Sequence, residues 1–470
     1  MYLFIATLAL LVCWALERCR SANNGLFVGL FFYFVAADLF FPIQSYSIRM
    51  SDLFVVCMLP SLLRTKSIIP RPLSVINDYL VLGFAAFLAL SLLNTSSFID
   101  APRSISYVLR WLEAVIVYFY VRTSLAFYKP QHLLLNSVTI GFVAGMAVVA
   151  IISLVQQLGF YLGGFDLVEN INQTLGRMFL ADSSMKVIST GGVYRATGNI
   201  GHPNALAQNL VFAFMFVLAY IISGNKKSKI MFSIVIVCLL LIIAAILGTG
   251  TRTAIVVSGA LTLVMLGKAG RLSKTLIAMS VLVGAVALAY LTAAKWMPNV
   301  LEMAAARAST LPTFYEDTSV LVRVETYKKG IALIEAKPFL GYGSEGFKYQ
   351  ISGAVGSGAS HNGFIFLAGA SGLVPAVLLA YLVLTAACKV FIIQRKVYSY
   401  SGRLLPVLGI FLAYLILALT EDSTINPTLN YILMVGLACY SHFQRRQDDH
   451  DKETALGHMG SAKPSAGAYP

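Results

Sequence analysis

Four side chains in this sequence have the type and setting to do chemistry: Arg195, Arg252, Arg323 and His361. Arg195 opens Arg-Ala-Thr-Gly-Asn-Ile-Gly-His-Pro-Asn (195–204), which also supplies His202 and Asn204. Arg252 sits in Gly-Thr-Gly-Thr-Arg-Thr-Ala (248–254), and His361 begins His-Asn-Gly, with Asn362 as its neighbour. Arginine stays charged at every relevant pH and grips phosphate oxygens through two parallel N–H bonds. Glycines nearby permit close approach of a ligand. Three arginines on one side of a membrane fit an anionic, phosphate-bearing ligand, and a diphosphate leaving group needs such neutralisation as it departs. A neutral histidine is the natural acceptor for the proton of a sugar hydroxyl. Each residue also has a plainer reading. An arginine at a helix end anchors to lipid headgroups, an interfacial histidine is a satisfied polar group, and His202 before Pro203 braces its loop. The chemical reading rests on the set.

The elements that must position these residues are membrane helices. Of the 470 residues 58% are hydrophobic and only 12% charged, and mean hydropathy is +0.77. A soluble domain carries roughly 25% charge; a chain this apolar cannot cover its surface in water, and in lipid it need not. The net charge of +14 does not point to nucleic acid, because the basic residues lie in short loops between apolar runs, where they act as topology signals. Apolar runs fall at about 2–16, 26–43, 52–64, 78–94, 105–122, 134–157, 204–222, 229–247, 251–266, 275–293, 362–388, 404–420 and 427–442. Some are short for the roughly 20 residues a span needs, so the expectation is an all-α polytopic integral membrane protein of about 12 or 13 transmembrane helices. No cleavable leader is expected: the apolar Met1–Leu16 lacks a basic start and runs into Glu17-Arg18-Cys19-Arg20.

Lysine and arginine set the orientation. One alternating set of loops carries Arg64, Lys66 and Arg71, then Lys226, Lys227 and Lys229, then Lys268, Arg271 and Lys274, then Lys389, Arg395, Lys396 and Arg403. These are expected to be cytoplasmic, with the C-terminus. The opposite side then holds two long loops, and long connections tend to be functional. The organisation reads as N-terminal transmembrane helices (1–157), a first external loop (158–203), central helices (204–293), a large external loop (294–361), C-terminal helices (362–443) and a disordered tail (444–470). In the second loop Val320, Val324, Tyr327, Ile331 and Ile334 form one helical stripe, which predicts an amphipathic helix over 320–336 against the membrane face.

Other signals carry less. The six cysteines lie in or beside apolar runs with no Cys-x-x-Cys pair, so neither a disulfide framework nor a zinc site is expected. No Asp-x-Asp stands where it would hold a metal, and Glu421-Asp422 lacks histidine or carboxylate neighbours in sequence; no metal is expected. Arg110 and Glu113, three apart in one span, read as structural glue, and Asp38 is unexplained. Gly341-Tyr-Gly-Ser-Glu-Gly346 spells a dinucleotide fingerprint but follows no buried strand.

At these residues the sequence resembles the bacterial O-antigen ligase and O-antigen polymerase superfamily. The likeness is carried by 195–204, by Gly-Thr-Arg-Thr-Ala (250–254), by Arg323 followed by Lys-Pro-Phe-Leu-Gly-Tyr-Gly (337–343), and by His361-Asn362 followed after nine residues by Gly372-Leu373-Val374. The resemblance implies a GT-C-like glycosyltransferase of the bacterial inner membrane whose site faces the periplasm, so that both long loops are periplasmic. It implies transfer of a glycan from undecaprenyl diphosphate to an acceptor sugar, without metal, nucleotide sugar or other cofactor. By position, His361 is the general base or acceptor-orienting residue; Arg195, Arg252 and Arg323 bind the diphosphate; His202, Asn204 and Asn362 support them. Thr253 and Pro375 depart from common ligase residues, and with the Gly-His-Pro-Asn form of the first motif they favour a polymerase of O-antigen, capsule or exopolysaccharide. The other reading is a ligase acting on lipid A–core. Partners would be membrane lipids, the lipid-linked glycan and its acceptor, with a flippase and a chain-length regulator nearby. A transporter of lipid-linked sugar is the rival from another class. It lacks support, since the halves show no internal repeat and no matching pair of broken helices.

Overall fold

Helices follow the apolar runs closely. The computed structural model describes residues 20–37, 40–43, 46–64, 76–93, 101–127, 132–163, 188–189, 193–198, 200, 202–222, 229–268, 318–355, 360–396, 401–421, 424 and 426–460, with positions 10, 13 and 15. The first helices are α1 (Arg20–Ala37), α2 (Met50–Arg64), α3 (Ile76–Ser91), α4 (Ala101–Phe127) and α5 (His132–Gly163). The central ones are α6 (Pro203–Ile222), α7 (Lys229–Thr249) and α8 (Arg252–Lys268). Then come α9 (Thr318–Ala336), α10 (Ser344–Val355), α11 (Gly363–Ser371), α12 (Leu373–Lys396), α13 (Ser401–Thr420) and α14 (Pro427–Gly460). Two antiparallel ribbons complete the described residues: β1 (Phe40–Ile43) pairs with β2 (Tyr46–Arg49), and β3 (Ile188–Ser189) with β4 (Val193–Tyr194). The chain is thus a polytopic α-helical membrane protein with two small ribbons outside its helices.

Among the described residues five helices are long and apolar enough to cross a bilayer, within α4, α5, α6, α7 and α12, and five shorter apolar helices accompany them. The 2–16 and 275–293 runs lie almost wholly outside the described residues, as do Asp38, the greater part of the 158–203 loop and the 294–317 stretch of the second. Burial separates lipid-facing helices from central ones. The most apolar window, in α7, is only 22% buried, whereas that in α6 is 83% buried. α6 even encloses Gln208 and Asn209. A helix hydrophobic all round with its sides exposed has lipid as its solvent.

Close approach at glycine sets the tightest pair. On α5, Gly141 and Gly145 are spaced as Gly-x-x-x-Gly, the small-residue pattern that lets membrane helices touch backbone to backbone. A Cβ on Gly141 would stand 2.0 Å from the carbonyl oxygen of Gly29 on α1, and one on Gly145 2.6 Å from that of Tyr33. α4 and α14 pack along their length, with the Tyr431 hydroxyl donating to Glu113 at 2.6 Å. Glu113 therefore joins two helices, as glue between α4 and α14.

Two expectations need revision. The single run 362–388 is two helices, α11 and α12, broken at Gly372 (φ 98°). Apolar residues flank the break on both sides, so hydropathy alone hides it. The tail expected to be disordered from 444 is helical as far as Gly460; residues 461–470 lie outside the described ones. α9 forms as anticipated, and Val324 and Ile331 of its apolar stripe point away from the protein, on the side expected to lie against the membrane. The side it packs inward is Thr326, Gly330 and Leu333, with Gly330 seated on Ile365 of α11, where a Cβ would stand 2.6 Å from the Ile365 side chain.

Candidate functional site

The site assembles where five segments end. α11 begins at an Asn cap: Asn362 is extended (φ −150°, ψ 114°) and its side-chain oxygen accepts from the amides of Phe364 and Ile365, both at 3.0 Å. That satisfies two of the orphan donors of the first turn. The preceding residue, His361, has φ 53° and is the one non-glycine residue with positive φ among those described. Histidine tolerates the left-handed region better than most residues, yet holding it there costs on the order of 1–3 kcal/mol. The surroundings enforce it. The Tyr327 hydroxyl on α9 donates to the His361 carbonyl at 2.9 Å and lies 3.3 Å from the Leu419 carbonyl at the end of α13.

One turn before Tyr327, Arg323 lies on the same face of α9. It donates through Nη1 to the Thr420 carbonyl at 3.2 Å and through Nη2 to Glu421 Oε1 at 3.1 Å. Glu421 is buried, its side chain 6% exposed against 28% for Arg323. A buried carboxylate must be paired to persist, and this one has three neighbours. Besides Arg323, Asn204 Nδ2 donates to its Oε2 at 3.4 Å, and His361 Nδ1 lies 3.9 Å from the same oxygen.

Asn204 carries the network onward to Arg195. Its Oδ1 accepts from Arg195 Nη2 at 2.8 Å and from the Thr251 hydroxyl at 3.2 Å. Arg195 also donates through Nε to the Thr249 carbonyl at 2.8 Å and through Nη2 to Thr251 Oγ1 at 3.0 Å. The Arg195 loop is thereby fastened to the turn between α7 and α8, where Gly250 (φ 61°) makes the reversal. Arg252 is the first residue of α8, directly after Thr251; its side chain lies outside what the structure describes. His202 caps α6. Its carbonyl accepts from the Leu206 amide at 3.0 Å, and its Nδ1 accepts from the Asn204 amide at 3.2 Å, with Pro203 at the favoured first helical position. Partial desolvation lowers its pKa below 6.5; the charge of Arg195 and the nearby His361 push the same way, and Glu421 opposes them.

Arg195, Asn204, Arg323 and His361 therefore converge, Asn362 and His202 shape the backbone beside them, and the start of α8 joins the same edge. The group that links them is Glu421, which sequence reasoning set aside for want of a histidine nearby. Its partners come from α6, α9 and the start of α11, far off in sequence. Nothing in the local Glu-Asp pattern reveals it. The Lys-Pro-Phe-Leu-Gly-Tyr-Gly segment takes a supporting place. The Tyr342 and Gly343 amides donate to the Gly369 and Ala370 carbonyls at 2.8 and 2.9 Å, and the Leu373 amide donates to the Pro338 carbonyl at 2.7 Å. Gly372 has no room for a Cβ, which would stand 1.9 Å from the Phe339 carbonyl oxygen. This glycine-rich turn locks α9 and α10 onto the α11–α12 break and so fixes the height of Arg323 against His361. Among the described residues no three His, Cys, Asp or Glu side chains gather as a cation site requires.

Fold and site together define a polytopic membrane protein that gathers charged and hydrogen-bonding side chains at the ends of its helices. Residues 236–380, about a third of the chain, match the family described as O-antigen ligase. The match bears out the resemblance to the O-antigen ligase and polymerase superfamily and supports a membrane glycosyltransferase of that type. Arg252, Arg323, His361 and Asn362 fall within the matched segment; Arg195, His202, Asn204 and Glu421 lie outside it. A search of curated proteins finds no match.

Proposed function

We propose that this protein transfers a glycan from undecaprenyl diphosphate to a sugar hydroxyl on the periplasmic face of the bacterial inner membrane, joining polysaccharide repeat units. The observation that carries the reading is the strained His361 held within 3.9 Å of a buried carboxylate that also pairs with Arg323. With Nδ1–H turned toward Glu421, Nε2 is left to take the proton of the acceptor hydroxyl. The acceptor oxygen bonds to the anomeric carbon as the bond from that carbon to the diphosphate oxygen breaks, and the lipid diphosphate departs. Direct displacement inverts the anomeric configuration. Arg195, Arg252 and Arg323 against the single charge of Glu421 leave two positive charges in excess, matching the two negative charges of a diphosphate diester. Glu421 acts through its neighbours, orienting His361 and Arg323. The C-terminus is cytoplasmic in this reading, and both long loops are periplasmic.

A ligase passing finished chains to lipid A–core is the second reading, favoured by the description of the matched family. The purified protein in detergent, given a lipid-diphosphate-linked repeat unit alone, decides between them. Products of several repeat lengths with inverted linkages support a polymerase. Transfer only when lipid A–core is added identifies a ligase, and absence of transfer to either acceptor refutes the proposed chemistry.

A further inference from the structure

Near its C-terminal end α5 carries two consecutive glutamines, Gln156 and Gln157, inside an otherwise apolar run. A buried amide in a membrane protein is costly unless its hydrogen bonds are made, and the reaction as described uses neither residue. Successive residues on a helix point about 100° apart, so the pair reaches two different neighbours. Gln156 is fully buried. Its Oε1 accepts from the Gly198 amide at 2.8 Å and its Nε2 reaches the Gly198 carbonyl at 3.4 Å. Both backbone groups of one residue are thus read by one side chain, and that residue is left-handed (φ 57°). Gln157 Nε2 donates to the Gly248 carbonyl at 2.6 Å, the carbonyl that also accepts from the Ala196 amide at 3.4 Å. Gly248 is matched to this contact, since a Cβ there would stand 2.6 Å from the Gln157 amide.

One helix end therefore holds two loops: the one bearing Arg195, gripped at Gly198, and the turn that leads into Arg252, gripped at Gly248. Arg195 then bridges the loops through Thr249 and Thr251. We propose that Gln156 and Gln157 are positioning residues for glycosyl transfer, setting the separation of the Arg195 and Arg252 loops so that both arginines meet one diphosphate. The inference rests on the reading that these arginines bind the leaving group. Apolar packing alone would be served by methionine or leucine at either position.

The test compares Gln156→Met and Gln157→Met, alone and combined with Arg195→Lys, in the full-length purified protein. Turnover of a lipid-diphosphate-linked repeat unit is measured beside thermal melting. Each methionine variant is expected to lower kcat/KM about tenfold, the effect of roughly one lost hydrogen bond, with the melting temperature held within a few degrees. Added to Arg195→Lys, it should cost little more than Arg195→Lys alone, because both disturb the same placement. Multiplicative losses, activity that falls in step with melting temperature, or methionine variants that do not fold would assign a purely structural role and overturn the proposal. If arginine variants lose turnover while glutamine variants do not, this inference alone fails. If the arginine variants retain full turnover, the diphosphate reading fails with it.

Discussion

Two ion pairs with buried carboxylates stand in different parts of this molecule, and they are built differently. Arg323–Glu421 is close, at 3.1 Å, with its arginine 28% exposed. Arg122–Asp78 is longer, at 3.7 Å, and both side chains are enclosed, 3% and 4% exposed. Asp78 on α3 also accepts from the Tyr118 hydroxyl of α4, which lies 3.0 Å from Ser441 on α14. Asn77 reaches Ser441 and Gln444 of the same helix at 3.4 and 3.1 Å. These neighbours of the enclosed pair are packed helix side chains, and the Arg122 nitrogens make no hydrogen bond among the described residues. Around the open pair lie a cap, a strained histidine and two glycine-bearing loops. Charge within a membrane domain is costly wherever it occurs. At α3–α4–α14 it fastens helices together; at Glu421 it holds side chains in place around an accessible edge.

The enclosed pair should give the largest effect on stability. Arg122→Met leaves Asp78 buried without its counter-charge, and breaking such a pair costs about 3–5 kcal/mol. Adding Asp78→Leu removes the stranded charge and should recover much of the melting temperature, because an apolar replacement of a buried pair is often neutral. Turnover per folded molecule should match the parent in the double variant. A double variant that folds but is inactive would break the contrast by making this pair functional.

At the open pair the double change should separate fold from activity. Arg323→Met alone strands Glu421; Arg323→Met with Glu421→Gln restores folding, since an amide can still bond Asn204. Turnover should nevertheless stay reduced by the loss of a group that stabilises the departing diphosphate, about 2–4 kcal/mol in the barrier. Initial rates with a lipid-linked repeat unit, normalised to folded protein, measure it. Recovery of both fold and rate would reduce Arg323–Glu421 to another fastening.

What the sequence made legible follows from where each signal resides. Helices were legible because apolar runs of bilayer length are local, Arg195, His361 and Asn362 because each sits in a glycine-marked motif, and Arg323 because it lies on a helical stripe that runs up to one. Glu421 was not, since its meaning comes from residues 60, 98 and 217 positions away. Gln156 and Gln157 are hidden in an apolar run, where hydropathy averages them out. The α11–α12 break eluded the same averaging, because its cause is a backbone contact with the Phe339 carbonyl rather than a change of polarity. The Lys-Pro-Phe-Leu-Gly-Tyr-Gly motif was visible as a pattern, but its positive-φ glycines at 341 and 343 find their reason only in the helix they dock on.

The smallest effect should come from pH, and it sharpens the contrast because only the open pair has a solvent-accessible histidine of lowered pKa beside it. His202 titrates below the ordinary 6.5, first through partial desolvation and then through Arg195. It is therefore neutral at pH 7, as its Nδ1 must be to accept from the Asn204 amide. An unfolded chain binds this proton more readily than the folded one, so stability rises with pH across the interval. The contribution is present in full above about pH 6.5 and is lost as the pH falls through the lowered pKa. Asparagine is an excellent cap that does not titrate. His202→Asn should thus keep the melting temperature at pH 7.5 and flatten its decline toward pH 5, measured beside the parent in the same detergent. The rate per folded molecule at pH 7.5 should match the parent, because His202 braces the start of α6 and takes no part in the transfer. A rate that drops in His202→Asn at pH 7.5 while the melting temperature holds would make His202 part of the reaction, and Glu421 would then serve the cap of α6 rather than the start of α11.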